Sequence, residues 1–251
     1  MATDTNQEYL DQLVEEIETR GLAENTIKAY LTSVTDFFNH YQKHPDELGV
    51  QEIKKYQRHL LKEKNLAPNT VNRHITAIKF FYLHVMSRYE IDHLLPRVKV
   101  PQNMPIVLSE QEVARMIDSV HSVFWKAVLL ITYSAGLRQS EVRNLKVTDI
   151  DSDPSRMLIY IRNGKGGKDR QAKLSPITLT ALRAYWRLYR LGNKVKSDWL
   201  FIPTKNSHTG ETNKRLSHSA IGHMVQKAAD LAGIKKKSTR IFSVTPLQPT
   251  F

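Results

Sequence analysis

Cysteine is absent from the 251 residues, which excludes disulfides and thiolate metal sites. The ten histidines are scattered, with neither a HExxH-like nor a paired helical spacing, so neither a metal centre nor a cofactor is expected. No apolar run approaches membrane-spanning length, and the N-terminus, with Asp4, Glu8 and Asp11, lacks the basic-then-apolar order of a secretory signal. A cytoplasmic protein without a membrane partner is the expectation. Negative charge is also scarce: 25 Asp and Glu against 37 Lys and Arg leave a net charge of +12 and a pI near 9.7. A soluble protein gains little fold stability from an excess of one sign, so a polyanionic partner is the natural explanation and a merely basic housekeeping protein the alternative.

What is present shows organisation on a scale of tens of residues. Gly21 to Phe38 reads GLAENTIKAYLTSVTDFF and Asn65 to Tyr82 reads NLAPNTVNRHITAIKFFY. Leu22, Ala23, Asn25, Thr26, Thr32 and Phe37 of the first copy recur as Leu66, Ala67, Asn69, Thr70, Thr76 and Phe81. Ile27, Leu31, Val34 and Phe37, like Val71, Ile75, Ile78 and Phe81, fall at helical spacing, so each copy predicts an amphipathic helix with one apolar stripe. Pro68 suits the first turn of the second helix, where its missing N–H is no loss. Two further amphipathic segments, Glu8 to Thr19 and Val50 to Lys64, complete an expected four-helix domain over residues 1–90. Residues 91–106, with three prolines and no sustained period, read as a linker. A second domain then opens at Ser109 and Glu112, spaced as a capping box. It continues with a buried helix at Phe124 to Ser134, a hairpin of Met157 to Ile161 and Arg170 to Leu174, and helices at Ile177 to Leu191 and Ser219 to Ala232. The expected fold class is mainly α in two domains, the second being α+β with one small antiparallel hairpin.

Two segments of the second domain carry chemistry. Ala135 to Leu145 reads AGLRQSEVRNL, followed by Asp149 and Ile150; Gly164 to Arg170 reads GKGGKDR. Arg138 follows a glycine at the end of a buried helix, where rigid backbone holds a planar fork of fixed positive charge suited to a phosphate undergoing displacement. Lys165 stands on a hairpin tip, from which an ammonium reaches a leaving oxygen to donate a proton. Each segment taken alone has a plain reading: a helix junction with Arg138 paired to Glu141, and a solvated turn. The strand, GxxxxGK[ST], helix order of a P-loop is missing.

Together, in this order and spacing, the segments resemble the first arginine motif and the lysine hairpin of the tyrosine recombinases, or phage integrases. The N-terminal repeat is similar to that family's helical, SAM-like core-binding domain, and the resemblance runs to about Lys235. It implies a clamp around double-stranded DNA, bound with other recombinase protomers, in which Arg138 activates the scissile phosphate, Lys165 is the general acid and Glu141 supports the arginine. By the same resemblance Lys168, Arg170, Thr70, Asn72, Arg73 and Lys79 are the expected DNA contacts.

The sequence departs from the family after residue 237. A His-x-x-Arg motif, a third His or Trp and a tyrosine nucleophile are expected there, and Lys237 to Phe251 supplies none of them. The partial catalytic domain is therefore expected to span 107–237, with an aberrant tail at 238–251, and the chain to be a C-terminally truncated recombinase that is inactive alone. A non-catalytic DNA-binding regulator occupying recombination sites is the alternative, and an RNA-binding helical protein, argued from charge alone, a weaker one. Permitted codons for Ser238 to Phe251, read one base earlier, spell I-H-T-H-I-L-R-H-T-F-A-T-H-L. The first histidine of the family motif then straddles Arg240 and Ile241 and its arginine straddles Ser243 and Val244. Lys235, Lys236 and Lys237 permit the unbroken adenine run at which such a shift in frame would occur.

Overall fold

The computed structural model describes residues 2–101, 108–162, 164, 167–191, 197–203 and 215–235, with side chains from residue 6 onward except those of 92 and 218. Lys165 and the tail at 238–251 lie outside the described residues. The chain divides into two compact units, Met1–Asn103 and Met104–Phe251.

The first unit is built from α1 (Ala2–Thr19), α2 (Glu24–Tyr41), α3 (Val50–Lys62), α4 (Pro68–His84) and a short α5 (Glu90–Leu94). The two repeat copies become α2 and α4, and their identities have local causes. Gly21 and Asn65 occupy the same repeat position and both have positive φ, 64° and 50°, in the left-handed region that glycine and asparagine tolerate best. The Thr26 N–H donates to Ala23 O at 2.7 Å and the Thr70 N–H to Ala67 O at 2.8 Å, opening each helix the same way. Thr32 and Thr76 each return a hydroxyl to the carbonyl four residues back, at 2.8 Å in both cases. Phe37 and Phe81 are fully buried, and the Phe38 and Phe81 rings meet edge to face at 5.3 Å. The repeat therefore supplies two helices whose apolar stripes close on one another, with Leu13, Ile17, Ile53 and Leu60 of α1 and α3 completing the core.

The segment read as a linker is partly folded. Ile91 and Leu95 are buried against the first core, and the Asn72 side chain clasps the chain at Val98, its Nδ2 donating to Val98 O and its Oδ1 accepting from Val98 N, each at 2.9 Å. An apolar pair four residues apart is enough to anchor one turn, too short to register as a period.

In the second unit α6 (Glu110–Asp118) starts on the expected capping box, Ser109 accepting from the Glu112 N–H at 3.2 Å and Glu112 accepting from the Ser109 N–H at 2.8 Å. Next comes α7 (Val123–Ser134), whose Phe124, Ala127, Val128, Leu129 and Ile131 are buried. It runs through the core with α9 (Pro176–Tyr185), which passes into a π-helical turn at Trp186–Leu191, and with α10 (His218–Leu231). The sheet has three strands rather than two, ordered β1 (Ile150–Asp151), β2 (Leu158–Ile161), β3 (Arg170–Lys173), all antiparallel. A two-residue strand carries no alternation to read; β1 exists because the turn Val147–Asp149 delivers it alongside Leu158 and Ile159.

Candidate functional site

The end of α7 sets the site. Gly136 has φ 57°, and behind it the Leu137 N–H reaches back to Thr132 O at 2.9 Å, the longer-range bond of a Schellman ending. The reversal drops Leu137 into the core at 1% exposure and leaves Arg138, in extended conformation, as the residue that begins α8 (Gln139–Asn144). Glu141 then folds back three positions, taking the Arg138 N–H on Oε2 at 2.9 Å and the Arg138 Nη1 on Oε1 at 2.7 Å. The helix junction and the arginine are thus held by one carboxylate, and the plain pairing of Arg138 with Glu141 is part of the site.

The hairpin meets the same carboxylate. Arg170, the first residue of β3, donates from Nη2 to Glu141 Oε2 at 2.7 Å and to Gly136 O at 3.2 Å. At the hairpin base the Gly164 N–H donates to Lys168 O at 3.0 Å. A Cβ on Gly164 would stand 2.7 Å from that carbonyl oxygen, so the close approach requires glycine. On the far side of β2 the buried Asp149 accepts from the Lys146 N–H at 2.8 Å and from Arg162 Nε at 2.8 Å. Both carboxylates of the Glu-Val-x-x-Leu-x-x-x-Asp-Ile stretch therefore serve inward, each fastening an arginine.

Burial divides these groups. The Glu141 side chain is 3% exposed, whereas Arg138 keeps 52% and Arg170 37%. Burial alone would raise the Glu141 pKa, but the Arg138 N–H and the guanidinium groups of Arg170 and Arg138 outweigh it and hold the carboxyl below its ordinary value. The site is a fixed anion beneath two cations, open to solvent on the cationic side, and so suits an anionic group such as a phosphate.

Of the other residues singled out from the sequence, Lys168 is exposed at the hairpin base. In the first unit, Asn72 and Arg73 line one open groove with Tyr30, Thr76 and Arg97, and Asn72 and Lys79 line an adjoining one. Asn72 commits its amide to Val98, Arg73 is exposed, Lys79 is half-buried, and Thr70 sits in the first turn of α4. The structure also shows a cationic cluster that no pattern marks. Trp199 lies in the segment that pairs with Lys146, and Lys146 Nζ and Arg215 Cζ stand 5.7 and 5.4 Å from its ring. Arg215 also donates to Asn144 Oδ1 at 2.7 Å. Of the tyrosines, Tyr185 is fully buried with its hydroxyl donating to Leu200 O at 3.1 Å, out of reach of a DNA phosphate, and burial pushes its pKa up to about 12.

An arginine mounted on a buried carboxylate beside the base of a hairpin, within a mixed domain that follows a helical one, is compatible with the tyrosine-recombinase resemblance of the sequence. Comparison with known proteins agrees. The phage integrase N-terminal SAM-like domain matches residues 9–91 and the phage integrase family model matches residues 107–243. The chain belongs to the phage integrase family, the tyrosine recombinases that act in DNA recombination. It is 38% identical over 229 residues to the integrase/recombinase y4qK of Sinorhizobium fredii, covering 91% of this chain and 70% of the relative. It is 25% identical over 248 residues to tyrosine recombinase XerA of Pyrococcus horikoshii, covering 92% and 84%. Among solved structures, the XerH recombinase in a post-cleavage complex on palindromic difH superposes with TM-score 0.69 at 17% identity over 94% of this chain and 75% of that one. A lambda integrase dimer on a COC' core site gives TM-score 0.67 at 12% identity over 94% and 86%. These two likenesses carry the fold.

Proposed function

We propose that this chain binds double-stranded DNA as a component of site-specific recombination, presenting Arg138 to a backbone phosphate, and that the 251-residue polypeptide does not itself break DNA. The observation that carries the binding half is the Arg138 guanidinium, half-exposed and held from behind by the buried Glu141. Lys165, which lies outside the described residues, is the general acid of this reading by the family resemblance, and Lys168 and Arg73, both exposed, are backbone contacts with Thr70, Asn72 and Lys79. The partners follow the relatives: the lambda integrase and XerH structures hold their proteins on DNA, the former as a dimer or a tetramer, and this chain joins protomers of its kind on a duplex. The inactive half rests on composition. Lys237 to Phe251 carries neither a His-x-x-Arg motif nor a tyrosine, and on this reading the group that would attack phosphorus and store the bond as a phosphotyrosyl ester is not supplied there. No helix among the described residues is long and apolar enough to cross a membrane, and the cell compartment proposed is the cytoplasm, where the DNA is.

The test is a binding isotherm on a mixed-sequence duplex at several salt concentrations. The expected outcome is an affinity that falls steeply with salt, because each neutralised phosphate releases condensed counterions. An affinity indifferent to salt, or a preference for single-stranded RNA, contradicts the reading.

A further inference from the structure

One carboxylate holding two guanidinium groups is a statement about charge. Arg138 and Arg170 bring two positive charges to the single negative charge of Glu141, so the cluster carries +2 − 1 = +1. If Glu141 met Arg138 alone, through the backbone N–H and Nη1 contacts it makes now, the two would form a closed neutral pair. A phosphate approaching Arg138 would then compete with a carboxylate already in place. Arg170 changes that balance from the opposite side. It reaches Oε2, while Arg138 Nη1 takes Oε1, and the same Nη2 holds Gly136 O, the carbonyl two residues ahead of Arg138.

We propose that Arg170 is a positioning residue that neutralises Glu141 from the hairpin, so that Glu141 fixes Arg138 in place while Arg138 retains its positive charge for a DNA phosphate. This rests on the DNA-binding reading of Arg138 given above, and it assigns Arg170 an inward task in place of the direct DNA contact expected from the family resemblance. The neighbouring geometry fits. The Cβ position of Gly164 lies 3.6 Å from Glu141 Oε1, so the hairpin base seats directly on the carboxylate and no side chain separates it from the Arg170 strand. Asp149 and Arg162, on the other side of β2, make the contrasting arrangement: one carboxylate and one guanidinium, neutral as a pair. Docking the hairpin and charging Arg138 are therefore one event, and a hairpin that swings away leaves the arginine quenched.

The experiment compares the salt dependence of binding to a mixed-sequence duplex for the wild type, Arg138→Ala, Arg170→Leu, Arg170→Lys and the double variant Glu141→Gln with Arg170→Leu. A lost phosphate contact lowers the slope of log affinity against log salt by about one. Arg138→Ala and Arg170→Leu are each expected to lose that amount, and Arg170→Lys to keep the wild-type slope. The double variant restores the cluster charge of +1 without Arg170 and is expected to recover the wild-type slope, a rescue that a purely structural role for Arg170 does not produce. A double variant still one short shows Arg170 itself on a phosphate and overturns the inference; so does Arg170→Leu with an unchanged slope. Should Arg170→Leu melt out of the folded state, Arg170→Lys and the double variant still decide. A wild-type affinity without salt dependence defeats the DNA-binding reading instead, so the two failures are distinct.

Discussion

Glu141 shows how much one buried carboxylate decides. Its two arginine partners and one backbone donor hold its pKa below the ordinary value, and the sign of the linkage follows. The stabilisation is fully present above the unfolded carboxylate pKa of roughly 4.3 and is lost as pH falls through the lower, folded value. Acid titration of the wild type and of Glu141→Gln is expected to differ in that window: the wild type loses stability on acidification that the amide variant, with nothing to protonate, does not lose at this site. At neutral pH, Glu141→Ala removes three charge-assisted hydrogen bonds and is expected to cost about 2 kcal/mol, read from a denaturant melt. A variant as stable as the wild type and with an identical acid limb contradicts the account. The Arg138–Glu141 pairing was legible from the spacing of three along a helix start. Arg170 was not, because nothing in a sequence separation of 29 says that a strand residue and a helix residue share a carboxylate.

At the scale of elements, the repeat was the strongest signal and it folds as read. Period and sequence identity agree there with tertiary packing: residues that recur, Phe37 and Phe81 above all, are the fully buried ones. Phe81→Ala removes a ring that touches Tyr9, Phe38 and Tyr82 and is expected to destabilise the first unit by about 3–5 kcal/mol, with the thermal transition as readout. Gly136→Ala tests a different cause, since it removes no contact but places a Cβ at φ 57°. A cost of about 1 kcal/mol is expected from that alone, and a larger loss of duplex affinity than Gly21→Ala shows, because Gly136 aims Arg138 and Gly21 only turns the chain before α2. Equal effects on affinity count against the aiming role. The elements that escaped the sequence are the short ones, α5 and β1, whose one or two anchoring side chains are fewer than any period needs.

For the whole molecule, the prediction concerns chemistry. On the function proposed above, purified 251-residue polypeptide incubated with supercoiled or nicked duplex is expected to give no denaturation-resistant complex, since single losses from such a phosphoryl-transfer site cost orders of magnitude. A specific adduct would show that one of the tyrosines present acts as nucleophile. The nucleotide sequence beneath Lys235 to Phe251 tests the cause. The −1 frame is expected to spell the His-x-x-Arg motif from the adenine run onward, and a coding sequence with one adenine added to that run is expected to yield a more stable domain that cleaves DNA if a tyrosine follows in frame. Codons that do not spell the motif refute the frame reading and leave the tail as this protein's own.

By itself the sequence determined the family, the mainly helical fold class and the pairing of Arg138 with Glu141, because these depend on local chemistry: periodic burial, caps and a fixed spacing along one helix. Only the tertiary structure decided what Arg170, Asp149, Arg162 and Trp199 do. Their partners come from elements brought together by the burial of α7, α9 and α10 around one core, and burial energy depends on apolar area without naming which polar side chains it will bring within reach of one another.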